Sequence, residues 1–503
     1  MSILALPPEL LEKITFQVGC RGYQAMRSTC RVLCDVATPF VFENLHINFE
    51  YIESHRSEAK SFLKELSNGR RLARFVRSIH FQSTMMHRRP KIAQVWNAIT
   101  LLGKQNTFYR TVGNLLLAAV PLMQSLEYFW WGIYDQQVVV DRVAMKDIIH
   151  RLSALPRLEF VAITSWKIKQ EIPCAPFHHL TSLLVSGRGT LDYVPPIIAN
   201  SPKLLELDVT TFRYDHPSPP HFPVVSLFSA FPEGEHSSLL IMRLSGNYFN
   251  LDPSTVPVLI PHLRKLVQFH VPIGFEIPDE FWSGLLAARV YFPRVSCSSE
   301  GLGDSFLTYL GSYHGLKELK LWPFEPNAQD DERHSRFLLH HIIPTHAISL
   351  TDVTINPRYA GPWCFDASMC HSLSFCMNLE HLAICVDEER APVTGPGNVV
   401  VTLMKSLKHW PFLKCLTIET VVSVEAGIYV RPNQSPQREV CARVQDIVTM
   451  QYRNPTLQML ALRINTDFVY GFKLRRSELP GESYSFYSDH LSYWGERLSK
   501  DKE

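Results

Sequence analysis

Cys364, Cys370, His371 and Cys376 stand close together, and zinc is the chemistry that such side chains suggest. Their spacings of six, one and five residues match no common zinc site, and the chain has no C-x-x-C pair. Reduced cysteines packed into a core fit this pattern better. The pairs His178-His179 and His340-His341 are also poor ligand pairs. Adjacent side chains point to opposite faces of a strand and diverge on a helix. Surface or capping histidines are the expectation. There is no Gly-rich phosphate loop, no Gly-x-Ser-x-Gly elbow and no His-Glu-x-x-His pair. The three Gly-x-Gly triplets, at 187–189, 301–303 and 395–397, are loop signals. No metal, cofactor or catalytic residue is expected, so the chain reads as a non-enzyme. An enzyme site assembled from distant loops stays open, because convergence in space is not visible in sequence order.

With little chemistry to position, the question becomes what 503 residues build. That length points to several domains or an elongated array. A hydrophobic share of 46% against 19% charged residues suits a folded chain. The formal net charge of +2 creates no large field, so neither nucleic acid nor an anionic membrane is expected as a partner. The longest apolar run, Leu115 to Met123, is half a membrane span and contains Pro121. Eleven cysteines, thinly spread behind an opening that lacks secretory-signal character, suggest reduced thiols. An intracellular location follows as an expectation, cytoplasmic or nuclear.

A short unit, L-x-x-L-x-h with h apolar, recurs along the chain. Copies start at Leu158, Leu180, Leu204, Leu239, Leu316, Leu350, Leu379, Leu413 and Leu457, with looser ones at Val76, Met123 and Leu263. The last four residues of each alternate like a short strand, which sends the first, fourth and sixth positions into a core and the third and fifth outward. One such strand cannot bury itself, so the copies must stack in parallel. Helix-like segments lie between them, at 141–155, 304–314, 334–344, 398–410 and 437–454. Polar insertions at 214–223, 323–336, 387–398 and 430–438 read as surface loops. The residues from 474 to 503 read as a cap or tail, with a helical cap expected over 487–498.

The first residues have another character. Leu6, Leu10, Leu11 and Ile14 form one apolar stripe behind Pro7 and Pro8. Gly19 and Gly22 break that helix. A second stretch carries Met26, Cys30, Leu33 and Ala37 at helical spacing up to Pro39, and a third, PFVFENLHI, is aromatic and apolar. So small a helical core is marginal unless something covers it. It could be a helix pair packed on the rest of the chain, or a unit that docks elsewhere.

The stretch from LPPELLEKI through STCRVLCDVATPFVFENL resembles an F-box, and the repeats resemble the degenerate leucine-rich repeats that follow F-boxes in many fungal proteins. The fold class this implies is α/β: a short helical F-box over 3–46, then an irregular leucine-rich-repeat solenoid over 70–470. Its parallel strands would lie on the concave side and its helices on the convex side. The resemblance also implies docking on a Skp-type adaptor, and through it on a cullin ubiquitin ligase. Leu6, Pro7, Leu10, Leu11 and Ile14 would form the docking stripe. Cys30 and Arg31 match the family's "Cr" pair, and Phe40 and Phe42 its final apolar anchor.

The outward strand positions are the candidate target-binding face: Phe160, Glu206, Asp208, Arg243, Glu318, Lys320, Asp352 and His381. Their mixed charge suits a protein partner better than a polyanion. Trp130-Trp131 would send one ring into the core and the other outward. The expected function is recruitment of an unidentified target protein for ubiquitination. The alternative is a scaffold that uses the same surfaces outside a ligase.

Overall fold

The computed structural model describes residues 3, 6–48, 53–83, 110–133, 142–165, 177–187, 191, 193–211, 222–246, 249–271, 276–298, 302–323, 328–387, 398–421, 461–466, 470–475 and 485–489. The chain folds as two compact units, Met1–Asn250 with Pro261–Lys265, and Leu251–Ile260 with Leu266–Glu503. The fold is α/β. Parallel strands alternate with helices, as in a leucine-rich-repeat array.

In the first unit the strands are β1 (Asn44–Asn48), β2 (Ser78–Ser83), β3 (Tyr128–Ile133), β4 (Phe160–Ser165), β5 (Ser182–Ser186) and β6 (Glu206–Thr210). Then come β7 (Phe222–Pro223), β8 (Ile241–Ser245) and β9 (Phe249–Asn250). Each strand from β1 to β6 pairs in parallel with the next, and β6 pairs with β8. β7 and β9 form a small parallel pair of their own. In the second unit β10 (Gln268–Val271), β11 (Arg294–Ser298), β12 (Glu318–Trp322), β13 (Asp352–Ile355), β14 (His381–Asp387), β15 (Cys415–Val421) and β16 (Ala461–Thr466) pair in parallel, each with the next. β17 (Tyr470–Arg475) and β18 (Ser485–Asp489) then turn antiparallel.

One sequence rule places the strands. An apolar residue stands two positions before the start of each of β1–β6, β8 and β10–β15, and it is buried: Phe42, Val76, Leu126, Leu158, Leu180, Leu204, Leu239, Leu266, Phe292, Leu316, Leu350, Leu379 and Leu413. A tight turn presents it. The amides of Val76, Leu126, Leu204, Leu379 and Leu413 donate to the carbonyls three residues earlier. The fourth and sixth positions then enter the core, as Leu319 and Leu321 do on β12, while Glu318 and Lys320 stay half-buried on the other face.

Parallel strands need crossovers, and amphipathic helices supply them. Helix Arg142–Ser153 buries Met145, Ile148, Ile149 and Leu152, a spacing that makes one face. Helix Asp279–Ala287 lays Phe281 and Trp282 on Phe269 of β10. Tyr309, on helix Asp304–Gly311, donates its hydroxyl to the Val290 carbonyl and accepts from the Phe292 amide, so it holds the entry to β11. Burial pushes its phenol above the usual range.

Several expectations differ from the structure. The copies set at Met123 and Leu263 are three residues early; Leu126 and Leu266 lead β3 and β10. The strand assigned from Leu457 begins at Ala461. Two repeats led by phenylalanine, at Phe42 and Phe292, escape a search for leucine. The segment 323–336 is a loop only in part, since a helix runs from Ala328 to Phe337. Asp330 and Asp331 in its first turn and His334 and Arg336 in its last match the helix dipole. Tyr487 to Asp489, expected to begin a helical cap, belong to β18. The first parallel strand, β1, starts at Asn44, inside the stretch assigned to the helical unit over 3–46 and well before residue 70. The loops over 388–397 and 430–438, the helix over 437–454 and the rest of the tail lie outside the described residues.

The N-terminal helices are α1 (Pro8–Val18), α2 (Cys20–Thr29) and α3 (Arg31–Glu43). Gly19 ends α1 with a positive φ of 77°, but Gly22 sits inside α2. Cys30 is extended, so the second stretch is two helices rather than one. Pro39 does not stop the chain's helix; it lies within α3. An interior proline costs about 3 kcal/mol. Burial of Phe42 beyond it, and contact of Phe40 with Phe16 and Tyr23, offset that cost.

Candidate functional site

The N-terminal trio divides the predicted docking residues into two sets. Pro7, Leu10 and Arg31 are exposed, and Leu6, Ile14, Cys30 and Phe40 are half-buried. Leu10 is 44% exposed, and Phe16 and Val32, which the motif did not single out, are 65% and 46% exposed. Leu11 and Phe42 instead lie inside the chain, each 2% exposed. Phe42 stacks on Phe62 at 5.5 Å, and the Arg27 guanidinium lies over its ring at 4.9 Å. These two side chains support the trio from within and offer no outer surface.

On the first unit's sheet, register brings the outward residues into rows. One row runs Tyr128, Phe160, Ser182, Glu206 and Ile241. The next runs His46, His80, Trp130, Ala162, Leu184, Asp208 and Arg243. Phe160 meets Tyr128 at 5.6 Å between ring centres. Glu206 accepts from Ser182 Oγ at 3.1 Å and forms an ion pair with Arg243. Asp208, only 4% exposed, accepts from Thr210 Oγ1. His46 stacks on His80 at 4.5 Å, and His80 leans on Trp130 at 5.9 Å. Burial, with neighbouring His46, pushes His80 down to about 4, and burial also lowers His46. The His80 ring is therefore neutral near pH 7. Trp131 enters the core and Trp130 stays half-exposed, the split that alternation along a strand requires.

The second unit's face is a set of closed charge pairs. Glu318 pairs with Lys320 and lies 4.0 Å from Arg294. His381 Nδ1 stands 3.0 Å from Asp352 Oδ1, short in distance but oblique for a hydrogen bond. Burial pushes the Asp352 carboxyl up. His381, the Thr351 hydroxyl and Lys320 outweigh that and hold it below its ordinary value. Farther along the strands, Asn356 Nδ2 donates to Glu419 Oε2 at 2.6 Å, and Cys385 Sγ donates to Asn356 Oδ1 at 3.2 Å. Register, not sequence proximity, brings Glu318, Asp352 and His381 side by side.

The other chemistry-bearing residues are dispersed. Cys370 Sγ contacts Ser406 Oγ, Cys364 Sγ faces the Tyr359 carbonyl, and burial pushes the Cys376 thiol up to about 12. No group of three or more metal-ligand side chains forms among the described residues. His178, His179, His340 and His341 are exposed. Sequence reasoning missed His46, His80, Tyr128 and Arg294 on the outward face. Phenylalanine leaders at Phe42 and Phe292 would have placed His46 and Arg294, the copy at Val76 already sends His80 outward, and Tyr128 needed the phase of Leu126.

Fold and face together define a strand–helix repeat protein whose open sheet surface suits protein binding. No protein-family profile and no curated protein matches the chain. Among solved structures, the crystal structure of a Bacteroides fragilis protein is similar over 75% of this chain and 69% of that one, at 10% identity and a TM-score of 0.20. A score that low carries no argument, and the fold rests on the strand ladders themselves. No helix among the described residues is long and apolar enough to cross a membrane.

Proposed function

We propose that the chain is a target-recruiting adaptor of a Skp/cullin-type ubiquitin ligase. Its N-terminal helices dock on the Skp-type adaptor, and the open sheet face holds a target protein. The chain does no bond chemistry; it raises the effective concentration of a target lysine near the transfer site. The observation that carries the reading is that Leu10, Phe16 and Val32 of the trio, large apolar side chains, are exposed, as is Pro7. Large apolar side chains left exposed on so small a helical unit are what a contact surface would use.

The test is capture of a Skp-type adaptor by the full-length chain, beside a Leu10→Glu/Val32→Glu variant. Both positions are exposed, so the variant should fold while placing two charges in the interface, where unpaired burial is costly. Capture by the wild type and loss by the variant is the expected outcome. Equal capture by both would remove the helices from the interface. Adaptor capture without ubiquitin transfer to any bound protein in a reconstituted complex would leave the scaffold alternative.

A further inference from the structure

The two sheet faces handle charge differently. In the second unit Glu318 and Glu380 each have a cation, Lys320 with Arg294 and Lys414, and Asp352 has the His381 ring beside it. In the first unit a row of charges lies one residue before the strands. Backbone hydrogen bonds link Glu43, Arg77, Glu127 and Glu159 in that order. Arg77 pairs with Glu43 at 3.7 Å. Glu127 and Glu159 have no ion pair among the described residues; exposed Arg157, two positions before Glu159, closes none with either. Each of these carboxylates directly precedes an aromatic residue of the open face, Tyr128 and Phe160, whose rings touch. Tyr128 is 49% exposed, and Trp130 stands half-exposed two residues along the same strand.

We infer that this corner of the first unit, built from Glu127, Glu159, Tyr128, Phe160 and Trp130, binds an arginine-rich segment of the partner protein. Guanidinium groups pair with carboxylates in a planar fork and also lie over aromatic faces. Two carboxylates with no ion pair among the described residues, each one residue from a ring of the face, offer both modes at once. A lysine-rich segment would use the carboxylates but gain less from the rings. An acidic segment would meet like charge. The inference deepens the proposed recruiting role and rests on it only for what becomes of the partner once bound.

The test uses the full-length chain and a labelled peptide of alternating arginine and glycine, with a glutamate–glycine peptide as control, read by fluorescence anisotropy. The arginine peptide should bind and the glutamate peptide should not. Glu127→Gln/Glu159→Gln should weaken binding about five- to tenfold, and Tyr128→Leu about threefold or more. Glu380→Gln, on the second unit, should leave it unchanged. Absence of binding, equal binding of the acidic peptide, a response to Glu380→Gln, or indifference to either first-unit variant would overturn the inference. Adaptor capture is measured on the same preparations. Peptide bound with adaptor capture absent removes the ligase reading alone; adaptor captured with the peptide unbound removes this surface alone.

Discussion

Phe42 belongs to two patterns at once. By motif it is the last apolar anchor of a docking unit; by structure it leads the first strand repeat and is buried. Its stack on Phe62 and its contact with Arg27 make it a core residue. Phe42→Ala should therefore lower unfolding stability by about 3–5 kcal/mol. Leu10→Ala, on the exposed stripe, should change it by no more than about 0.5 kcal/mol. Urea titration of both variants measures the contrast, and equal losses would contradict it. His262 supplies a second residue-scale outcome. It stacks on Phe228 at 4.5 Å, and its Nδ1 accepts from the Ser237 amide. Burial, with neighbouring His236, pushes it down to about 4. Between pH 6.5 and 4 the unfolded chain binds a proton that the folded chain refuses. This contribution is full above about pH 6.5 and declines as pH falls toward 4, by on the order of 1–3 kcal/mol. His262→Phe keeps a ring in the stack and removes the titration. The fall in urea midpoint from pH 7 to pH 4.5 should be shallower in that variant; an unchanged slope would assign the fall to other groups.

At the scale of elements, the repeat is a strand whose entrance and exit are both specified. Entrance depends on the buried leader and its turn. Exit from β8 depends on Gly246, whose φ is 109°. A Cβ there would overlap the Thr211 carbonyl, in a backbone conformation that side-chain-bearing residues avoid. Gly246→Ala should cost about 2–4 kcal/mol. Gly234→Ala has a similar φ of 81° but open space around it, so it should lose less. Thermal unfolding of the two variants separates crowding from backbone strain. The same economy appears at helix starts: the Asn398 side chain accepts from the Val401 amide at 2.9 Å and caps the helix Val399–Ser406.

For the whole molecule, stacking makes stability a neighbour effect. Each strand bonds to the strands beside it, and few contacts reach farther. Leu319, in β12, is fully buried. Leu319→Ala should destabilise the chain by about 2–5 kcal/mol. Hydrogen exchange should speed first in β11, β12 and β13, with little change in β3 and β4 of the first unit. Uniform acceleration across both units would mean one cooperative block rather than an array.

The repeats and their parallel stacking were legible in the sequence because burial imposes a period. A residue two before each strand and its fourth and sixth companions must be apolar, and alternation assigns the rest to the open face. That logic located Leu158, Leu180, Leu204, Leu239, Leu316, Leu350, Leu379 and Leu413 as strand leaders. It failed at Met123 and Leu263, where a second apolar residue three positions on competed for the same phase, and at Phe42 and Phe292, where an aromatic leader filled the leucine's space. The open face was legible position by position but not as a site. Only the tertiary register joined Glu206 to Arg243 and Asp352 to His381, across loops of 37 and 29 residues' separation. Pairing of that kind depends on which strands become neighbours and in what register, and no single segment contains the information. The tertiary structure likewise decided which apolar residues of the N-terminal stripe are surface and which are core, because the helix period defines a stripe while the packing partners define its edges.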